Sequence, residues 1–73
     1  MKIVIKIKNE FGEFESLPFE IPEDEYSSVL EMSKNFYDSG GYEMQTKQGF
    51  LVIPPEIVKK SILILETNYD DSN

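Results

Sequence analysis

The chain has 73 residues, 14 acidic against 7 basic, and a formal net charge of −7 at pH 7. Ala, Arg, His, Cys and Trp are absent, which excludes disulfides, thiol chemistry, zinc fingers and histidine-based catalysis. Without clustered positive charge, a groove that neutralises nucleic-acid phosphates is excluded too. Fewer than roughly 80 residues make one small domain, with a core worth about 3–5 kcal/mol.

An apolar share of 40%, with five Phe and four Tyr, is too high for a disordered chain of this charge. The opening MKIVIKIKNE alternates Lys with Ile and lacks the unbroken apolar stretch of a signal peptide. The longest apolar runs, Phe50–Ile53 and Ile62–Leu65, fall far short of the roughly 20 residues that span a bilayer. These features predict a soluble cytoplasmic protein with no membrane partner. Frequent Ile, with Lys as the only cation and no Ala, is a composition typical of AT-rich coding DNA. Low-GC bacteria, their phages and their plasmids share that bias.

In chain order, residues 2–8 place Ile3, Ile5 and Ile7 on one face and Lys2, Lys6 and Lys8 with Val4 on the other. This period of two predicts a half-buried strand. Asn9 to Gly12 supply a turn, and residues 13–21 a second extended run in which Leu17, Phe19 and Ile21 share a face opposite Phe14. Phe14 is then expected to cover the second sheet face. Pro18 removes a ladder donor, so this run belongs at an edge or carries a bulge. Pro22 and three acids, Glu23, Asp24 and Glu25, mark the start of a helix expected over 23–38. Its stripe is Tyr26, Val29, Leu30, Phe36 and Tyr37, and Gly40-Gly41 ends it.

Residues 42–46 and 50–53 read as a second hairpin around Lys47-Gln48-Gly49, stopped by Pro54-Pro55. A short helical turn from Pro55 precedes a final strand over 61–66, favoured over helix by two Ile residues in a short apolar run. The expectation is a small single α+β domain over 1–68. Antiparallel hairpins run ββαββ, then a short helical turn and a C-terminal strand, with one main helix packed on one face of a four- or five-stranded sheet. Residues 69–73 read as an acidic flexible tail.

The functional reading is non-catalytic. Asp, Glu, Lys and Tyr are the only candidate proton-transfer groups, and no serine has a base beside it in a recognisable setting. Ser39-Gly40-Gly41 follows a helix, whereas a phosphate cradle precedes one. Neither Asp70-Asp71 nor Glu23-Asp24-Glu25 has the alternating oxygen spacing of a calcium loop, so no metal or cofactor is expected.

What stands out is an interval without lysine, from residue 9 to 33, that holds Glu10, Glu13, Glu15, Glu20, Glu23, Asp24 and Glu25. With Phe11 in the turn, these are the candidate partner-binding residues, offering negative charge to a basic protein groove. The bland alternative is that the acids confer solubility and guard a strand edge. Unbroken alternation would put Glu13 and Glu15 on the face of Leu17 and Phe19 unless a bulge shifts the phase.

Residues Ser61–Glu66 resemble the serine- and leucine-bearing edge strand of phage uracil-DNA glycosylase inhibitors, a likeness of six residues that carries over no site residue. The leading expectation is a small acidic protein of a phage or mobile element that binds and inhibits or modulates a host protein, such as a nucleic-acid or defence enzyme. The alternative is an accessory module that self-associates as a homodimer through a sheet edge.

Overall fold

Alternation along residues 2–8 makes the first strand the centre of a sheet, because both of its edges find partners. The computed structural model describes residues 1–68; the expected tail, 69–73, lies outside them. Strand β1 (Lys2–Asn9) pairs antiparallel with β6 (Ile62–Asn68) along one edge. Its other edge is shared by β2 (Gly12–Glu15) and β3 (Phe19–Glu20). A separate hairpin joins β4 (Tyr42–Thr46) to β5 (Gly49–Ile53). The domain is α+β as expected, but its six strands form one four-stranded and one two-stranded sheet.

The expected bulge is present and settles the phase of the second strand. Paired positions add to 21 along β2 (Lys6 with Glu15) and to 22 along β3 (Ile3 with Phe19), so one extra residue enters between them. Ser16 holds the junction. Its amide donates to the Ile5 carbonyl at 2.8 Å, and its Oγ accepts the Ile5 amide at 2.9 Å and donates to the Leu17 carbonyl at 3.0 Å. The Leu17 amide turns away from β1 and donates to the Gln45 carbonyl at 3.0 Å, while Ser16 bridges to Thr46. The chain thus stays on β1 before and after the bulge, and at the bulge itself it touches the second sheet through β4.

This geometry corrects the expected facing of Phe14. It lies opposite Ile7 and Phe19 lies opposite Ile3, so both aromatics share the core face. Phe14 packs against the core cluster of Ile7, Phe36, Met44, Ile53 and Val58 and does not cover the second sheet face.

The main helix is shorter than the expected 23–38. Glu23–Glu25 form a 3₁₀ turn after extended Pro22, α1 spans Tyr26–Lys34, and Phe36–Asp38 form a second 3₁₀ turn. Two polar residues account for the break. Ser33 Oγ donates to the Val29 carbonyl at 2.9 Å, a contact that bends helices, and Asn35 has φ −90° and ψ 6°. The break turns Phe36 into the core, where it meets Tyr37 and Tyr42 edge-on, each at 5.0 Å between ring centres. Gly40, at φ 79°, takes the left-handed conformation that returns the chain towards β4. The short helix α2 (Pro55–Val58) starts from Pro54 and buries Val58.

Replacing Ser16 with Ala leaves the Ile5 amide without its acceptor in a partly buried setting. The expected loss is about 1–3 kcal/mol of unfolding free energy, read from urea denaturation. Ser33→Ala, which removes only a back-bond to a helix carbonyl, is expected to change stability by less than about 0.5 kcal/mol.

Candidate functional site

Register brings three of the seven candidate acids beside lysines. On β1, Lys2, Lys6 and Lys8 point to the face without a helix, and the residues opposite them are Glu20, Glu15 and Glu13. Across the other edge, Val4 faces Glu66, Lys6 faces Ile64 and Lys8 faces Ile62. Lys6 Nζ lies 3.6 Å from Glu15 and 3.3 Å from Glu66, at the centre of three strands. Hydrogen bonding and charge from Glu66, followed by the charges of Glu15 and Glu13, raise the Lys6 pKa above its ordinary 10.5. On this face four carboxylates meet three ammonium groups, leaving a charge of −1.

The remaining candidates sit at the two ends of β1. Glu10 and Phe11 form the tip of the β1–β2 hairpin, beyond Asn9. Glu23, Asp24 and Glu25 are exposed in the 3₁₀ turn at the other end, where Ile21 bonds to Met1. Eight residues of strand hold these groups on the order of 25 Å apart. The structure therefore places the eight candidates in three groups: a tip, a row facing lysines, and a helix entrance.

Phe11 is the best-defined of them. Its ring is 65% exposed, yet its backbone is fixed, because the Phe11 amide donates to Asn9 Oδ1 at 2.8 Å. Asn9 Nδ2 donates in turn to Ser61 Oγ at 3.1 Å, and Ser61 Oγ donates to the Ile57 carbonyl at 2.7 Å. An exposed aromatic is thus held at the tip by a buried serine fifty residues away in sequence.

Sequence reasoning missed a second apolar surface. Along β4–β5, Tyr42, Met44 and Ile53 point inwards, while Gln45 faces Phe50 and Glu43 faces Val52 on the outside. Phe50 is 62% and Val52 61% exposed, and Leu17, held beside Gln45, is exposed as well. The signal lay in the alternation of Phe50-Leu51-Val52-Ile53: an apolar run on a two-sided strand must show one side to water unless another layer covers it. Between this hairpin's turn and β2 lies a depression lined by Glu13, Glu15, Ser16, Thr46, Lys47 and Gln48.

Among the described residues, no helix is long and apolar enough to cross a membrane. No family model, no curated protein and no solved structure matches the chain.

Two groups give the fold an alkaline limit. Burial raises the Tyr42 pKa above its ordinary 10.0, and the carboxylates raise that of Lys6. Each binds its proton more tightly folded than unfolded, so its contribution is fully present below about pH 10 and falls as the pH climbs beyond it. Urea midpoints are expected to drop above pH 10 in the wild type and to drop less in Tyr42→Phe and in Lys6→Met.

Proposed function

We propose that this chain is a small acidic, non-catalytic binding protein of a phage or other mobile element of a low-GC bacterium. It captures a host protein and inhibits or modulates it, with a nucleic-acid or defence enzyme as the favoured class of target. The observation that carries this reading is the set of large apolar side chains on the outer face of β4–β5. Leu17, Phe50 and Val52 stand exposed beside Glu43 and Gln45, an apolar centre with a polar rim. Small monomers seldom leave such side chains grouped in water without a use for them.

Charge supplies the second component. At −7 the whole molecule attracts basic partners over a distance, even though its strand acids are locally matched by lysines. Phe11, rigid at the hairpin tip, adds an aromatic anchor at one end of the molecule. The origin in a mobile element rests on composition alone: frequent Ile, Lys as sole cation, and no Ala.

The test is capture from a low-GC bacterial lysate by immobilised protein. One discrete partner is expected, with Phe50→Asp/Val52→Asp cutting recovery at least about tenfold by loss of the apolar centre. Washing at 0.5 M salt, where the Debye length is about 4 Å, is expected to lower recovery further. No discrete partner, or one retained equally by the double variant, would overturn the reading.

A further inference from the structure

The two edges of the four-stranded sheet are built differently. One edge is broken by the Ser16–Leu17 bulge and Pro18, carries Glu13, Glu15 and Glu20, and is closed in part by β4. These are the usual guards against edge-to-edge pairing. The other edge, β6, is seven residues long and starts Ile-Leu-Ile-Leu. It carries no Pro, no Lys and no bulge against β1, since its seven pairs keep one register. Strand β5, in the smaller sheet, has only five residues, opens with Gly49 and ends against Pro54.

The direction of the backbone groups on β6 follows from Ser16. Both polar groups of Ile5 face the β2 side, because its carbonyl accepts from Ser16 N and its amide donates to Ser16 Oγ. Alternation then turns Val4, Lys6 and Lys8 towards β6, where they meet Glu66, Ile64 and Ile62. Leu63, Leu65 and Thr67 must therefore direct their N–H and C=O groups outwards. Two residues before Leu63, on the same side of the strand, the outward carbonyl of Ser61 already accepts Tyr37 Oη at 2.6 Å. Among the described residues, no hydrogen bond to the amides or carbonyls of Leu63, Leu65 and Thr67 closes this edge.

We propose that β6 pairs antiparallel with β6 of a second copy of this chain, across a two-fold axis at Leu65. Centring on Leu65 sets Leu63 opposite the partner's Thr67, so all three outward amides of each copy meet outward carbonyls of the other. Centring the pair on Leu63 or Ile64 would instead leave outward groups of Thr67 unmatched. On the core face, Leu65 meets the partner's Leu65 beside an open groove between α1 and β6, lined by Leu30, Tyr37, Leu63 and Leu65. Leu30 and Tyr37 are exposed there, so the second copy covers apolar surface that the monomer leaves wet.

A two-fold axis through a strand makes the interface self-complementary, and such closed dimers are the commonest symmetric assemblies. This interface lies apart from the outer face of β4–β5 and stands or falls independently of the function proposed above.

The test is light scattering on the full chain across a concentration series, with two variants. The wild type is expected to reach twice the 8.5 kDa chain mass. Thr67→Pro removes one outward amide per copy while sparing the β1–β6 ladder, and is expected to weaken association at least about tenfold, with the far-ultraviolet circular dichroism unchanged. Leu65→Cys, in a chain without other cysteines, is expected to form a disulfide-linked dimer on mild oxidation, since directly opposed Cα atoms lie about 5.5 Å apart. Glu13→Cys, on the guarded edge, is expected to stay uncrosslinked. A wild type that remains a monomer at millimolar concentration overturns the proposal. So does a dimer that Thr67→Pro leaves intact, or one in which Glu13→Cys crosslinks and Leu65→Cys does not.

Discussion

One inserted residue organises this domain. Had the chain run from Gly12 to Glu20 without the bulge, Phe14 and Phe19 would point to opposite faces of the sheet, and one would leave the core. The extra residue at Ser16–Leu17 restores both to the side of Ile3 and Ile7. It also frees the Leu17 amide to reach Gln45, which joins the two-stranded sheet to the larger one. A bulge disrupts the ladder locally, so a group beside it can need a side-chain partner in place of a backbone one. Here that group is the Ile5 amide, and the Ser16 hydroxyl accepts it. Serine suits the position because its side chain is short, buried and able both to accept and to donate.

The same register governs how the net charge is distributed. Read along the chain, the seven acids from Glu10 to Glu25 fall in an interval without lysine and look like one negative surface. Folding sets β1 beside them, and its three lysines come into line with Glu13, Glu15 and Glu20. Lys6 shows the result most clearly, lying within 4 Å of carboxylates from both neighbouring strands. Exposed pairs of this kind contribute little to stability. Their larger effect is on recognition: they turn a like-charged row into a mixed one, and leave the outward negative field to the hairpin tip and the helix entrance. Linear clustering of charge is therefore a poor guide to surface charge in a sheet, where nearest neighbours come from another strand.

Much of the architecture was legible in the sequence because it rests on local rules. The alternation of Lys and Ile made β1, Pro-Glu-Asp-Glu opened the helical region, Pro54-Pro55 closed β5, and the Ile-Leu run became β6. Pro18 announced a fault in the second strand, but the bulge lies just before it, because the residue that can satisfy Ile5 is Ser16. The facing of Phe14 depended on that placement and so was misread. The end of α1 was misread for a similar reason: a stripe of apolar residues ran past Lys34, while Asn35 and the demand to bury Phe36 favoured a 3₁₀ turn. The exposed Phe50 and Val52 were hidden by the habit of assigning apolar runs to the core. Only the pairing with β4 showed which side was left uncovered.

Parity carries these local choices across the whole sheet. Each strand residue turns both its polar backbone groups to one side, and its neighbour turns them to the other. Once Ser16 takes both groups of Ile5, the direction of every other residue of β1 is fixed, and through the β1–β6 ladder so is every residue of β6. The guarded edge thereby determines what the unguarded edge offers. Exchanging the outward set of β6 for Ile62, Ile64 and Glu66 would require β1 to turn Ile3 and Ile7 out of the core, so the facing of the central strand and the direction of the far edge are one choice. The edge that β6 presents is in that sense set by which residues of β1 are buried, and the bonds of Ser16 to Ile5 show it.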